Sequence, residues 1–289
     1  MTPERIAGIP EVRRRVLEAR RSGAAVGFVP TMGALHAGHA ELIRRARQEC
    51  ACVVASVFVN PSQFDRRDDF EKYPRTLAED LELCGRWGAG IVFAPDAGQM
   101  YPGPQLAWVE VSSLGEHLCG KFRPGHFRGV ATVVAKLFNI IQPDRAYFGQ
   151  KDAQQLAIIR KMVADLNFPV TVISVPTVRE PDGLAISSRN RRLTPEDRKA
   201  APALYRALQE AAACAGRGCE APDEVKRAAL AILDREPRIR VEYLEVVDPE
   251  TMQPLARIAG DALVAAAIWL GDVRLIDNVL CRPGSSAGG

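Results

Sequence analysis

The sequence predicts an α/β fold, a parallel sheet wrapped by helices, followed by a smaller α+β module. Three observations predict it. Short apolar runs alternate with amphipathic segments through the first half. One run, Ala51–Val59, is apolar but for Ser56 and β-rich, as expected for a strand buried on both faces. Near residue 185 the texture changes, and an Ala-rich stretch and two long β-rich runs follow.

The elements follow in order. Ala24–Val29 reads as a strand. Ala40–Cys50 reads as a helix, with Leu42, Ile43 and Ala46 on one face and Arg44, Arg45 and Arg47 largely on the other. After the buried strand come a helix over Thr76–Trp87 and a short strand over Ile91–Ala94. Gly129–Ile141 is apolar at helical spacing. Arg145–Phe148 is a short strand, Ala153–Leu166 a helix, and Val170–Val178 a strand rich in Val, Ile and Thr. Thr194-Pro195-Glu196-Asp197 starts a helix, with Thr as cap, Pro in the first turn and acids at the positive end of the dipole. That helix is expected to run to about Cys214. Gly216–Pro222 is a turn, Asp223–Arg235 a helix, and Ile239–Val247 and Leu263–Leu270 are strands. The expected domains are residues 1–185 and 186–283, with 284–289 (GSSAGG) a flexible tail by composition.

Composition narrows the function. The chain has 289 residues, 47% hydrophobic and 25% charged, with 38 Lys+Arg against 35 Asp+Glu. A net charge of +3 is too small for bulk-charge binding to nucleic acid or an anionic membrane. The apolar runs Ala51–Val59 and Ala262–Leu270 are far short of the about 20 residues that span a bilayer. The opening MTPERIAGIPEVRRR holds no apolar core of signal-peptide type. Seven scattered cysteines without a CxxC pair suit a reduced, cytoplasmic protein.

Five stretches carry candidate chemistry. In Gly27-Phe28-Val29-Pro30-Thr31-Met32-Gly33-Ala34-Leu35-His36-Ala37-Gly38-His39 a strand runs through a turn into a helix start. Such a start offers N–H groups and a dipole to an anion. His36 and His39 share a helix face and can donate to phosphate oxygens, and Gly38 leaves room for a flat ring. The same two histidines also suit simple capping or a surface; a zinc site lacks further ligands, since only His117 and His126 remain. Phe148-Gly149-Gln150-Lys151-Asp152 again ends a strand, and reads either as a phosphate and ribose site or as a capped helix with a solvated Lys. Arg179–Asn190 holds a Pro-Asp-Gly turn, then Ser187, Ser188 and Arg189 as oxyanion donors or a polar interdomain loop. Asn60-Pro61-Ser62-Gln63 offers amides to a small polar substrate, or is an Asn-Pro turn. Lys121–Gly129 is a basic loop, either a cover over an anionic site or a solvated loop.

Together, VPTMGALHAGH, SVFVNPSQF, YPRT, RPGHFRGVATVVAKLFNIIQPD, YFGQKDAQQLAIIRKM, DGLAISSRN and WLGDVRLIDN resemble the pantothenate synthetase (pantoate–β-alanine ligase) family, in the family's order from residue 26 to about 278. The resemblance implies a Rossmann-like N-terminal domain with a smaller C-terminal domain, a homodimer, and the reaction pantoate + β-alanine + ATP → pantothenate + AMP + pyrophosphate through a pantoyl adenylate. It implies that Pro30, Met32, Gly33, Ala34, Leu35, His36, Ala37, Gly38 and His39 hold ATP, with His39 favoured as acid toward pyrophosphate. Gly149, Gln150, Lys151 and Asp152 would hold phosphate and ribose, Val178 and Ile186 the adenine, and Ser187, Ser188 and Arg189 phosphate. Catalysis would fall to His39, His36, Lys151 and Arg189. Gln63 and Gln155 would grip pantoate, with Asn60, Tyr73 and Arg123 near the second substrate, and Glu79 and Asp80 would help hold Mg²⁺.

The sequence departs from the family at Ala153, where an aromatic is common, and at Ile186, where Met or Leu is common. Both changes are apolar and leave the polar donors in place. The HxGH pair with a downstream Ser/Arg loop also fits the wider nucleotidyltransferases. A nucleotide sensor without catalysis is a third reading, although no expected donor is missing.

Overall fold

The computed structural model describes residues 2–282. The expected tail, 284–289, lies outside the described residues. The chain divides into two compact units. The first takes in the residues up to Val111, Arg123–Gln150 and Ile158–Pro176; the second takes in Ser112–Phe122, Lys151–Ala157 and the chain from Thr177 on.

The first unit is built on a six-stranded sheet. Its strands are β1 (Glu4–Ile6), β2 (Val26–Thr31), β3 (Cys52–Val57), β4 (Ile91–Phe93), β5 (Arg145–Gly149) and β6 (Thr171–Val175), in the order β1-β4-β3-β2-β5-β6. Every pairing is parallel. The helices are α1 (Ile9–Arg21), α2 (Ala37–Glu49), α3 (Leu77–Trp87), α4 (His126–Ile141) and, from Ile158 on, α5 (Ala153–Asp165). The parallel, helix-covered sheet is the Rossmann-like fold expected.

Strand alternation puts successive residues of β2 on opposite faces. Phe28 meets the α4 ring Phe138 edge-on, 6.4 Å between centroids. Val29 turns to the other face and packs with Leu42, Ile43 and Ala46 of α2 and Cys84 of α3. Both faces are therefore covered, which is why β3 is apolar at every position but Ser56. Helix α4 is apolar nearly all round because it is buried nearly all round.

The sheet order reverses at β2: the chain passes from β2 to β3 on one side and reaches β5 on the other. Ligands of open α/β sheets bind beyond the strand ends at such a switch point. The pairing of β2 with β5 runs only from Gly27↔Arg145 to Phe28↔Ala146. Pro30, which has no N–H, therefore falls past it, in a half-buried position.

The second unit carries an antiparallel sheet of β7 (Ile239–Val247), β8 (Ala262–Leu270) and β9 (Val273–Cys281). Helices α6 (Ala203–Gly216) and α7 (Pro222–Leu233) share its apolar core with Leu204, Leu208, Val225 and Leu233. The single helix expected from Thr194 is two: Pro195–Ala200 and α6. Pro202 separates them, because proline lacks an N–H and clashes with the preceding turn. Thr194 caps the first piece as expected, its Oγ1 accepting from Asp197 N at 3.2 Å. Among the described residues no helix is long and apolar enough to cross a membrane.

Candidate active site

The turn after β2 is held from three directions. Thr31 Oγ1 donates to Ser56 O at 2.6 Å and accepts from Gly33 N at 3.1 Å. Gly33 and Ala34 both take positive φ, 83° and 51°. Ala34 carries a Cβ in a region that costs non-glycine residues energy, so something must enforce it. Asp80, on the first turn of α3 and 1% exposed, does so. Its Oδ2 accepts from Ala34 N at 3.1 Å and its Oδ1 from Leu35 N at 2.8 Å. Thr76 Oγ1 donates to Oδ2 at 3.3 Å. A Cβ at Gly33 would sit 2.9 Å from Asp80 Oδ2. Burial, with the charge of Asp80 added, pushes the Cys84 thiol up to about 12.

Helix α2 is capped by its own histidines. Gly38 N donates to His36 Nδ1 at 3.2 Å, and His36 N donates to His39 Nδ1 at 3.3 Å. The rings lie 4.1 Å apart. A neutral imidazole that accepts at Nδ1 carries its proton on Nε2, so both rings are set as Nε2–H donors. Capping at Nδ1 thus does not consume the donor at Nε2. The expectation of an open helix start does not hold in full, since the N–H groups of Gly33, Ala34, Leu35, His36 and Gly38 already have protein acceptors. The ring that Gly38 makes room for is that of His36: a Cβ there would stand 2.9 Å from His36 Cε1. Met32 is half-buried and Ala37 exposed.

Asn60, 1% exposed, gathers the turn after β3. Its Nδ2 donates to Gln63 Oε1 at 3.0 Å and to Gly129 O at 3.2 Å. Its Oδ1 accepts from Tyr101 OH at 2.7 Å and from Ser62 Oγ at 2.9 Å. Burial raises the Tyr101 hydroxyl above its ordinary range, so it stays a protonated donor. Gln63 Nε2 then points at Met32 Sδ, 3.0 Å away. Helix α4 closes on this turn, and a Cβ at Gly129 would lie 2.2 Å from Ser62 O. Arg123 joins the group through Gln63 O, but its Nε donates to Asp65 Oδ1 at 2.9 Å. The basic stretch at 121–129 is thus pinned at Arg123 rather than an open loop, and α4 begins at His126. Tyr73 is buried, its ring edge-on to Phe64 at 5.7 Å. The structure therefore brings Met32, Asn60, Gln63 and Arg123 together.

Gly149 ends β5 beside β2, and Gln150 after it is exposed. In the second unit, Lys151 is half-buried and its carbonyl accepts from Asn278 Nδ2 at 2.9 Å. Asp152 is exposed and Gln155 half-buried. The Pro-Asp-Gly stretch makes a tight hairpin: Gly183 N donates to Glu180 O, and Ile186 N to Val178 O at 3.0 Å. The two apolar residues expected on adenine are therefore cross-strand partners. Ser187 Oγ accepts from Arg189 N at 3.2 Å, capping the turn over Ser188–Arg192, and Ser188 is buried. A capping hydroxyl keeps its own O–H to donate.

Sequence reasoning gave no role to the residues that brace this hairpin. Arg179 binds Asp277 two-fold, at 2.5 and 3.0 Å, and lies over the Tyr205 ring at 3.7 Å. The string IDN in β9 held the signal, since a carboxylate in an apolar strand asks for a partner.

Glu79 and Asp80 do not fit a magnesium site. Adjacent helix residues face different ways: Glu79 is exposed, while Asp80 is buried with both oxygens on backbone N–H groups. Among the described residues no three His, Cys, Asp or Glu cluster as metal ligands.

The family model described as pantoate-beta-alanine ligase matches residues 4–280. The chain belongs to the pantoate–β-alanine ligase family. Within it, the chain is 51% identical over 277 residues to pantothenate synthetase from Moorella thermoacetica, covering 96% of this chain and 98% of that one. It is 52% identical over 282 residues to the enzyme of the same name from Sinorhizobium medicae, 97% of each. The crystal structure of pantothenate synthetase from Thermus thermophilus matches with a TM-score of 0.90 at 48% identity, over 96% of this chain and 98% of that one. The pantoate–β-alanine ligase from Francisella tularensis, complexed with β,γ-ATP and β-alanine, matches with a TM-score of 0.80 at 33% identity, over 96% and 97%.

Proposed function

We propose that this ATP-dependent ligase condenses pantoate with β-alanine through a pantoyl adenylate, with His36 and His39 serving the phosphates of ATP. The pantoate carboxylate attacks the α-phosphorus and pyrophosphate leaves. The amine of β-alanine then attacks the acyl carbonyl, loses a proton and expels AMP. No protein nucleophile takes part, so the chain contributes position and charge stabilisation.

The observation that carries this reading is the pair of imidazoles whose Nδ1 atoms accept backbone N–H bonds, which for neutral rings assigns the proton to Nε2. Fixed donors after a strand end suit charge that grows on a leaving phosphate. Lys151, Ser187, Ser188 and Arg189 add donors for ATP, with Gly149, Gln150 and Asp152 beside the nucleotide and Val178 and Ile186 against the adenine. Gln63 and Gln155 hold pantoate. Asn60 positions Gln63, and Tyr73 and Arg123 shape the same region. Magnesium arrives with the substrate as MgATP. The active form is a cytoplasmic homodimer that takes no nucleic acid.

The test is pyrophosphate exchange into ATP with pantoate present and β-alanine absent. Pantoate-dependent exchange supports the adenylate step. No exchange with ATP still bound points to another acid or to a nucleotide binder. His39→Ala should lower kcat by about 10²–10³, as for the loss of one transition-state donor. Near-normal turnover would remove His39 from the mechanism.

A further inference from the structure

We propose that Asp80 is a positioning residue for the phosphate-handling turn and not a metal ligand. The inference rests on the reading that the turn and its histidines serve ATP. Three observations converge. Asp80 is 1% exposed, and its two oxygens divide between Ala34 N and Leu35 N. Those residues directly precede His36, the cap of α2. The held backbone includes Ala34 at φ 51°, which a free turn would abandon.

A carboxylate suits this task because two N–H donors from successive residues converge on it, and each bond to a charged acceptor is stronger than one to a neutral group. The Thr76 hydroxyl braces the same carboxylate from the cap of α3. Gly33 is the complementary requirement, since a side chain there would strike Asp80 Oδ2. The α3 start thereby sets where the two imidazoles begin. Asp80 is 1% exposed, so a cation in solvent would reach it only if the carboxylate swung out and left its two backbone N–H groups behind in the protein, which is costly.

The experiment compares wild type, Asp80→Asn and Thr76→Val. Asp80→Asn keeps volume but sets an NH₂ against one backbone N–H. We expect kcat/KM for ATP to fall about tenfold to a hundredfold, as for loss of a bond to a charged group. KM for pantoate should change far less. The midpoint of magnesium activation at fixed ATP should stay at its wild-type value. Thr76→Val should move the same quantities in the same direction by a smaller factor, and it serves if Asp80→Asn does not fold.

Restoration of the Asp80→Asn rate by high magnesium would overturn the proposal in favour of ligation. Unchanged ATP kinetics would overturn it outright. ATP affinity by calorimetry separates this inference from the reaction itself. Wild type that binds ATP yet shows no pantoate-dependent exchange would sink the ligase reading. Weaker ATP binding by Asp80→Asn would still uphold the positioning role.

Discussion

Asn60 Nδ2 lies 3.0 Å from Gln63 Oε1, and that contact fixes which end of the Gln63 amide is left to face elsewhere. The orientation of Asn60 is itself decided by backbone: Gly129 O can only accept, and Ser62 N can only donate. Gln63 therefore presents its NH₂ toward Met32, and a thioether is a weak acceptor that a substrate oxygen outcompetes.

Tyr101→Phe removes the shortest of the donors on Asn60 Oδ1, leaving those of Ser62, while keeping the ring. One neutral hydrogen bond is worth about 1 kcal/mol, so KM for pantoate should rise roughly fivefold. KM for ATP should hold. Steady-state kinetics in both substrates check this, and equal rises in both KM values would refute it.

Gly38→Ala should push the His36 ring off its cap, because the new methyl would stand 2.9 Å from Cε1. Backbone strain plays no part, since Gly38 does not take positive φ. We expect pantoate-dependent pyrophosphate exchange to drop by about tenfold or more. Losing a cap costs about 1 kcal/mol, which for this size lowers Tm by only about 2–4 °C. Full exchange activity with an unchanged melt would mean that the ring has room to move.

Arg179→Leu leaves Asp277 buried without its ion partner. Burial already raises the Asp277 carboxyl, and Arg179 opposes that rise. Breaking such a pair costs about 3–5 kcal/mol. The sign with pH follows. A carboxyl whose folded pKa lies above its unfolded value is favoured by folding when protonated, so this stability is present at low pH and is lost as pH rises through the folded pKa. The deficit of Arg179→Leu against wild type should therefore be smaller in mildly acidic buffer than in alkaline buffer. Denaturant melts across that range test it, and a deficit that grows on acidification would contradict the assignment.

Much of this was legible in sequence, and the residues show why the rest was not. The runs that became β2, β3, β5 and β7 were readable from apolar patterning. Strand β1 has only three residues, too few for a pattern. Helix α1 hides Val12 and Val16, one turn apart, among arginines. In β9 the inward residues Val273, Leu275 and Asp277 alternate with half-buried ones, but Ile276 and Asp277 break the apolar rhythm. The Pro202 break was visible as a residue and outweighed by the alanines around it. Site motifs stood out because strand ends and turn residues are local. Asp80 could not be read correctly, because its partners lie 45 and 46 residues away. Arg123 likewise meets Asp65 across 58 residues.

The absence of a side chain at Gly129 has a consequence for motion. With Ser62 O where a methyl would be, the start of α4 touches the Asn60–Gln63 turn main chain to main chain, and nothing between them can yield. Segments joined that way open together or not at all. The amides of the two segments, far apart in the chain, should share one opening free energy in native-state hydrogen exchange. Substrate that quiets the turn should quiet the helix start by the same amount.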